Sequence, residues 1–495
     1  MDRQKPLRLV DLAAQSLLED EAAAIATLQS LQRECFPPLF VLAVAGRRCR
    51  TVQAMVEAWP FPYLPLGALL KTLQCDQDIL KAALKGIDVL LTCDFRPTHW
   101  KLQVLDLRSD AETNFWHVWA GLGDGVSASL SCESVAAQAS PERRGVGHAC
   151  TREKEQHSAE AGVLVLLSDL CFTEPSPDEL LTFLAKRVKE NKLLPQLCCR
   201  RLQFIFEPLT LHIITKIFDK VHLDCVEEVE VRCHWEMKYI VKFTQYLRKM
   251  VHLKSLYFGQ AFLDHWTHWE ATAVTWLCAH FSSAVVHLQH LRHLHICGTS
   301  SLLGQFHQVF RHLEAPLESL GLTDSCITGS DLEYLSRCSS ICRLSILHLR
   351  NVQMVGVDAG FLNILLERIS GTLKELDLSG CGMTDTEFTA ILPALGRCSQ
   401  LDFLRFCGNS VSMDVLQSLL LRTLPQNMIR VLETPLPREC YVSCGGTRTV
   451  DMTTVRNWLD QLNQILEDLG LGLEWLEQNL YPEKNCISVT FDFTL

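Results

Sequence analysis

Apolar residues alternate with polar ones in a short, recurring pattern along the second half of the chain. In the segment Leu373–Met383, leucines occupy positions 1, 4 and 6, a cysteine position 9 and a methionine position 11. Positions 4 and 6 flank a single residue, so on an extended strand both point to the same side. We therefore predict a short strand with one buried face. A bend should follow at position 9, where the side chain can bond buried backbone groups.

The same spacing recurs seven more times, in segments whose first apolar residues are 199, 226, 253, 291, 317, 344 and 401. Taken in order with 373, the steps are 27, 27, 38, 26, 27, 29 and 28 residues, and only one leaves the range 26–29. This is the leucine-rich repeat consensus L-x-x-L-x-L-x-x-(N/C)-x-L. A period of this length leaves room for a helix after every strand. The predicted fold class is α/β, a leucine-rich repeat horseshoe solenoid of the ribonuclease-inhibitor type, with parallel strands inside and helices outside.

Five regions follow from this pattern. Residues 1–98 are predicted as an N-terminal helical cap and docking region, and 99–120 as a first repeat-like strand and helix. Residues 121–161 are rich in Gly, Ser, Ala and Glu and lack the apolar content needed for order, so we expect a disordered linker. The repeats themselves fill 162–435. Residues 436–495 are predicted as a C-terminal cap, because a solenoid must cover its last open layer.

Composition narrows the class of protein. The net charge of −11 argues against a general nucleic-acid binder. The longest apolar run, Gly162–Leu167, is too short to span a bilayer, so no membrane association is expected. The first residues predict an amphipathic helix and no signal peptide, and the 22 cysteines are interpreted mainly as reduced, small core residues. These features favour a cytoplasmic protein, with the nucleus as an additional location.

No catalytic set is recognisable. The chain lacks a G-x-S-x-G motif, a Walker loop and cysteine pairs at zinc spacing, so we predict no enzyme activity, no cofactor and no metal. Function is then expected from surfaces. The outward positions of the predicted strands carry a chemically mixed set that suits protein recognition. These inner-face candidates are Tyr257, His293, His295, His348, Arg350, Glu375, Asp377, Phe403 and Arg405.

Two short N-terminal patterns indicate docking on a ubiquitin-ligase scaffold. The first is similar to the elongin-binding box, with Glu21 in place of its cysteine, and should present one helical stripe. Its residues are Ser16, Leu17, Glu21 and Ile25. The second is similar to the cullin-2-selecting box. Its residues are Phe36, Pro37, Phe40 and Val44. A rival elongin pattern, from Ser30 to Leu39, runs into two prolines, and ordinary amphipathic packing is the alternative for all three.

Three L-x-x-L-L pentads are a further candidate, because such helices can dock on nuclear receptors. They span residues 66–70, 362–366 and 416–420. The last two fall on predicted repeat helices, where their leucines should be buried. The first pentad, with Leu66, Leu69 and Leu70, is the better candidate for an exposed contact.

Longer strings in the N-terminal region carry a family resemblance. The segments Phe36–Phe40, Ala58–Leu69 and Trp100–Arg108 resemble the PRAME family, named after the preferentially expressed antigen in melanoma. The resemblance implies a leucine-rich repeat horseshoe without enzyme activity of its own. It also implies a substrate-receptor role in cullin-2 RING ubiquitin ligases through elongins B and C. Further implied roles are repression of retinoic acid receptor signalling and effects on proliferation, differentiation and apoptosis. The alternative is a transcriptional corepressor that uses an L-x-x-L-L pentad independently of ubiquitination.

Overall fold

The computed structural model divides the chain into two compact units. The first comprises Met1–Leu202 and Pro208–Val226, and the second Gln203–Glu207 and Glu227–Leu495. The residues described are 9–74, 77–92, 101–108, 164–172, 178–205, 211–233, 237–259, 279–298, 306–354, 357–425, 429–444, 447–470, 479–481 and 486–490. The predicted linker at 121–161 and most of the predicted segment 99–120 lie outside these ranges.

The first unit opens with six helices. They are α1 (Leu9–Glu19), α2 (Glu21–Thr27), α3 (Phe36–Ala45), α4 (Cys49–Glu57), α5 (Leu66–Leu73) and α6 (Gln77–Thr92). Asp20 separates the first two, because its carboxylate accepts the N–H groups of Ala22 and Ala23 and so caps α2. Two prolines stand in the first turn of α3, where a missing N–H costs nothing.

Aromatic packing holds α3 to the segment that follows α4. Trp59 is fully buried, and its indole N–H donates to the carbonyl of Tyr63 at 3.1 Å. The rings of Phe36 and Phe40 meet the indole edge-on, with centroids 6.2 and 5.0 Å away. Phe61 adds a third contact at 5.8 Å. The aromatic segment therefore forms part of the core of this unit.

A parallel sheet completes the first unit. Its strands are β1 (Tyr63–Pro65), β2 (Val104–Asp106), β3 (Val165–Leu167) and β5 (Gln196–Cys198), in that spatial order. Strand β2 is the predicted first repeat-like strand, whereas β1 was not expected. Further elements are β4 (Leu170–Phe172) and the helices Glu179–Lys189 and Leu211–Phe218. Strand β6 (Arg201–Phe204) lies at the division between the units.

The second unit contains the repeats as one parallel sheet. Its strands run in the spatial order β7, β8, β9, β10, β12, β14, β15 and β16. Their bounds are Glu228–Val231, Ser255–Phe258, His293–Cys297, Ser319–Thr323, Ile346–His348, Glu375–Asp377, Phe403–Arg405 and Val431–Pro435. Two short strands, β11 (Cys326–Ile327) and β13 (Gln353–Met354), pair separately. Successive repeats are therefore neighbours in space, as a solenoid requires.

The strands bury the residues that the pattern assigned to the core. All apolar residues at positions 1, 4 and 6 of the eight predicted repeats are at most 2% exposed. In the repeat first considered these are Leu373, Leu376 and Leu378, none of which is exposed at all. The α/β leucine-rich repeat prediction is confirmed.

A left-handed residue ends five consecutive strands of the repeat sheet at position 8. Gly298, Gly380 and Gly408 have φ values of 72°, 70° and 73° there, and Asp324 and Asn351 have 49° and 53°. These are the residue types that adopt this conformation at the least cost. The turn also aligns the backbone, because the N–H of one position-8 residue donates to the position-7 carbonyl of the next repeat. The N–H of Gly380, for example, donates to Cys407 at 2.7 Å.

Position 9 satisfies buried backbone groups, as predicted. The side-chain amide of Asn409 donates to the carbonyls of Leu378 and Phe406 at 2.9 and 2.8 Å. Its oxygen accepts the N–H of Met383 at 2.9 Å. In the preceding repeat the Cys381 thiol donates to the carbonyl of Leu349 at 2.6 Å. The position-9 side chains of these two repeats thus replace the water that their buried neighbours have lost.

Helices follow the strands. Those with described bounds are Met237–Leu247, Phe306–Phe310, Gly329–Arg337, Ala359–Ile369, Asp385–Leu395, Met413–Thr423 and Met452–Asp468. Two of them start with a capping box, formed by Thr328 with Asp331 and by Thr384 with Glu387. The last is the predicted C-terminal amphipathic helix, with Val455, Trp458 and Leu462 buried. Three antiparallel pairings follow the parallel sheet. Strand β20 (Cys486–Thr490) pairs with β16, and β19 (Asn479–Tyr481) pairs with β20. Strands β17 (Tyr441–Cys444) and β18 (Thr447–Val450) form a hairpin.

Replacing Asn409 by Ala should lower the free energy of unfolding by about 2 kcal/mol or more, because three buried backbone groups lose their partner. Denaturant titration measures the difference. The matched control is Asn363→Ala on the helix Ala359–Ile369, whose amide bonds only Glu367 on the surface. The control should change stability by less than about 0.5 kcal/mol. Equal losses in both variants would contradict the role assigned to position 9.

Candidate protein-binding face

Residues that stand opposite one another on neighbouring strands of the repeat sheet form a row of outward side chains, which we call a register row. The row runs through position 5 of eight successive strands, from Glu230 to Glu433. Its members are Glu230, Tyr257, His295, Gly321, His348, Asp377, Arg405 and Glu433. Five of the predicted inner-face residues stand in this row. Glu375, Phe403 and His293 stand in the parallel row two residues earlier, and Arg350 at position 7 after β12.

A cavity of about 630 Å³ opens on this face, within the second unit. Its size falls in the range of ordinary ligand pockets, roughly 300–1,000 Å³. The residues that line it come from eight successive strands and the turns after them. They are Ile205, Arg232, Tyr257, Gly259, His295, Cys297, Thr323, Asp324, His348, Arg350, Asn351, Asp377 and Arg405. We call these residues, with the two register rows, the strand face.

One end of the cavity is a three-layer stack. The Arg232 guanidinium lies 5.2 Å from the centroid of the Tyr257 ring. That ring stacks on the His295 imidazole at 4.6 Å with an interplanar angle of 18°. Glu230 forms an ion pair with Arg232 and also accepts the side-chain amide of Gln203 at 2.7 Å. The charged end of the stack, Arg232, is therefore held in place by Glu230 before any partner binds.

Gly321 makes room for the His295 ring. A Cβ atom at this glycine would lie 2.0 Å from Nδ1 of His295, far inside van der Waals contact. The imidazole therefore reaches across the empty position, and its Nε2 lies 3.2 Å from the hydroxyl of Thr323. The sequence prediction missed Gly321, although a glycine at position 5 among larger residues was a readable signal.

His295 is held neutral. Burial lowers its pKa to about 4 from the ordinary 6.5, and the neighbouring His348 and Arg232 side chains act in the same direction. At neutral pH the ring is thus a neutral hydrogen-bonding platform. It contributes an aromatic surface to the cavity without a charge.

The other end of the face is a closed ion-pair network around Phe403. Glu375 contacts both His348 and Arg405 at 3.1 Å, and Arg405 reaches Glu433 at 3.3 Å. The guanidinium groups of Arg405 and Arg430 lie 5.8 and 5.5 Å from the Phe403 ring. Arg430 in turn pairs with Asp402, whose pKa is lowered by that hydrogen bond. These charges neutralise one another and fix the side chains.

The predicted elongin box does not form one helical stripe. The break at Asp20 places Ser16 and Leu17 on α1, and Glu21 and Ile25 on α2. Glu21 also turns toward α4, where its carboxylate accepts the N–H and hydroxyl of Thr51 at 3.1 and 3.2 Å. The expectation of a continuous stripe was wrong, because the Asp20 cap ends the first helix. Ser16 is exposed, and Leu17 is half-buried.

The cullin-type box lies in the core of the first unit. Phe36 is 3% exposed, Phe40 and Val44 are not exposed, and Pro37 is buried in the first turn of α3. Nearby residues on the same helix, Pro38 and Val41, are half-buried. The rival pattern from Ser30 to Leu39 crosses a 3₁₀ turn and the start of α3, so it is not one helix either.

The L-x-x-L-L pentads are largely buried. Leu66 is not exposed and Leu69 is 2% exposed, whereas Leu70 is half-buried. The helix packs so closely that a Cβ at Gly67 would lie 2.3 Å from the backbone of Leu107. The expected openness of this pentad was wrong. In the other two pentads the leucines are at most 1% exposed, as predicted for repeat helices.

Buried cysteines behave as core residues. Burial raises the pKa of Cys381 to about 12 and that of Cys398 to about 11, so both thiols stay protonated. Cys407, in contrast, is disulfide-bonded. Within the described ranges, no group of three or more His, Cys, Asp or Glu side chains is arranged to hold a metal ion. None of the described helices combines the length and apolar composition that a membrane span requires.

Repeated strand–helix units with a polar, prearranged strand face define this chain as a leucine-rich repeat protein of the interaction class. The chain belongs to the PRAME family. Residues 6–116 match the PRAME N-terminal domain and residues 164–491 the PRAME C-terminal domain.

Human PRAME family members align with most of the chain. PRAME family member 12 is 39% identical over 446 residues, 90% of this chain and 88% of the relative. PRAME family members 8 and 7 are each 38% identical over 452 residues, 90% of this chain and 89% of each relative. Among solved structures, an internalin from Listeria monocytogenes aligns at 15% identity with a TM-score of 0.26, over 54% of this chain and 59% of its own.

Gly321→Ala should lower the free energy of unfolding by about 1–3 kcal/mol, because the added methyl group overlaps the imidazole of His295. The cost should largely disappear in the double variant Gly321→Ala with His295→Ala, which removes the ring. Denaturant titration of all four proteins measures this coupling. Gly371→Ala is the control, since no atom lies within 4 Å of its added Cβ. Strictly additive losses would contradict the close contact.

His295 should make the protein less stable in mild acid. Its pKa is about 4 in the folded chain and near 6.5 when unfolded, so protons bind preferentially to the unfolded state. The stabilisation is complete above about pH 6.5 and is lost as the pH falls toward 4. Denaturant titrations between about pH 7 and 5 should show a smaller decrease for His295→Gln than for the unchanged protein. Parallel decreases would refute the assignment.

Proposed function

We propose that this chain is a non-enzymatic adaptor that binds a target protein on its strand face. More specifically, we propose that it serves as the substrate-recognition subunit of a cullin-2 RING ubiquitin ligase, in the cytoplasm and also in the nucleus, and docks through elongins B and C. The observation that carries the adaptor role is the strand face. Eight successive strands align mixed polar and aromatic side chains around one cavity.

Prearranged side chains support recognition on this face. The Arg232–Tyr257–His295 stack and the pairs formed by Arg405 are held by contacts within the protein. A partner therefore does not have to order these side chains on binding, which removes part of the entropic cost. Stacked aromatic and arginine groups are also the residue types that contribute most at protein interfaces.

The N-terminal helix α1 supports docking on elongin C. Leu9 is 84% exposed and Leu12 is 47% exposed, and both lie on the helix that also carries Ser16 and Leu17. An amphipathic helix of this kind can dock its apolar residues in a partner groove. Because the cullin-type box is buried, cullin-2 selection would have to use its half-buried neighbours, such as Pro38 and Val41.

Burial of the first L-x-x-L-L pentad disfavours the corepressor alternative. Repression of retinoic acid receptor signalling through Leu66–Leu70 would require helix α5 to leave its packing site. An effect on such signalling, or on proliferation, differentiation and apoptosis, would then follow from the target that the ligase modifies.

Leu12→Ala combined with Leu17→Ala should reduce co-purification with elongins B and C and with cullin-2 by about tenfold or more, because two docking leucines lose their side chains. The full chain is co-expressed with the three partners, and the recovered complex is quantified. Leu421→Ala serves as control, because this residue is 46% exposed on the helix Met413–Thr423.

Circular dichroism and thermal unfolding must show that both variants are folded. Unchanged recovery with the double variant, or absence of a complex with the unchanged chain, would overturn the ligase proposal. The adaptor role would then be tested by the peptide-binding measurement described below.

A further inference from the structure

Arginines at position 7 recur in the repeats, and in two of them the position-5 residue of the same strand neutralises the charge. In the first unit, Asp106 accepts the Arg108 guanidinium at 3.0 and 2.7 Å. In the second unit, Glu230 pairs with Arg232. The carboxylate two residues earlier thus occupies the fork of the guanidinium.

Arg350 breaks this pattern. It stands at position 7 after β12, but position 5 of its strand is His348, which contacts Glu375 instead. Arg350 is exposed, lines the cavity, and makes no side-chain hydrogen bond or ion pair with any described residue. The other two arginines of the cavity, Arg232 and Arg405, are already paired with glutamates. Among the described residues that line the cavity, Arg350 therefore has the guanidinium that is available to a partner.

We infer that Arg350 is the anchor of the strand face and binds a carboxylate of an acidic peptide segment in the partner protein. This inference deepens the adaptor role and rests on it. A guanidinium binds a carboxylate through two parallel hydrogen bonds, which fixes orientation as well as affinity. The cavity of about 630 Å³ has room for several neighbouring side chains, with the neutral His295 and Tyr257 as an aromatic wall.

The remaining charges favour a carboxylate over a phosphate. Asp324 and Asp377 also line the cavity, and each is held by neutral donors, Asn351 at 2.9 Å for the first and the N–H of Ser379 at 2.9 Å for the second. Two fixed negative charges repel a phosphate of nearly two charges more strongly than a carboxylate of one. Arg350, the free arginine among the described lining residues, carries one positive charge and so matches a single carboxylate.

The experiment uses the full-length chain, fluorescently labelled, and an array of short immobilised peptides. Every peptide with a central Asp or Glu has counterparts that carry Asn or Gln, and phosphoserine, at the same place. The unchanged protein should bind a subset of acidic peptides and prefer them to their amide counterparts by about tenfold or more. Affinities of the selected pairs are then measured in solution by fluorescence anisotropy.

Three variants identify the anchor. Arg350→Ala should remove the acidic preference without altering thermal stability, because the side chain has no described partner. His348→Asp should remove it too, because it recreates the position-5 and position-7 pair seen at Asp106 and Arg108 while keeping the arginine. His348→Ala should retain the preference. Arg343→Ala is the matched control, since Arg343 is exposed and lies outside the cavity lining.

Each outcome either supports or overturns the assignment of Arg350 as the anchor. Loss of the acidic preference in Arg350→Ala and His348→Asp, but not in the controls, supports the inference. Peptide binding that ignores the acidic residue or survives both variants overturns the anchor and leaves the adaptor role standing. Stronger binding of the phosphoserine peptides assigns the site to phosphate and also overturns it. No peptide binding at all overturns the inference together with the adaptor role, whereas failure of the elongin co-purification alone affects only the ligase proposal.

Discussion

The stacking of strand–turn units depends on hydrogen bonds to the buried backbone N–H and carbonyl groups of each turn. Five strands end in a left-handed residue at position 8, and in four of them its N–H continues the hydrogen-bond ladder to the next repeat. In the later repeats Cys381 and Asn409 bond the neighbouring backbone groups from position 9. Without these bonds, buried carbonyls would lose water without compensation. The parallel register, and with it each row of outward side chains, follows from this turn.

Fixed register converts a one-dimensional sequence pattern into a surface. Residues one repeat apart become neighbours, so Tyr257 stacks on His295, 38 positions away, and Glu375 reaches Arg405, 30 positions away. Side-chain pairs on neighbouring strands contribute roughly 0.2–1 kcal/mol each. Side chains of the strand face that pair with one another are consequently held in place. A side chain without such a pair is available to a partner protein. Arg350 belongs to such an incomplete pair. Position 5 of its strand is His348, whereas the strands of Arg108 and Arg232 have a carboxylate at position 5.

Local capping chemistry shapes the N-terminal region in the same way. Asp20 ends one helix and starts another, and Glu21 bonds Thr51 on a third. Phe36 and Phe40 pack against Trp59 and so stabilise the first unit. Residues that match short docking motifs are thus also structural residues. Ser16 of the elongin-type pattern remains exposed, as does Leu12 on the same helix, and both are available for a partner without unfolding.

The sequence alone determined the fold class, the repeat positions and the core, because the spacing of Leu373, Leu376 and Leu378 reflects a backbone period that allows few alternatives. It also predicted the outward residues from His295 to Arg405. Only the tertiary structure decided which of them are paired, since the ion pairs and the contact of Gly321 with His295 join residues 26 to 30 positions apart. It likewise decided that the elongin and cullin patterns lie on broken or buried helices. A motif of a few residues specifies chemistry and spacing, whereas exposure depends on everything that packs against it.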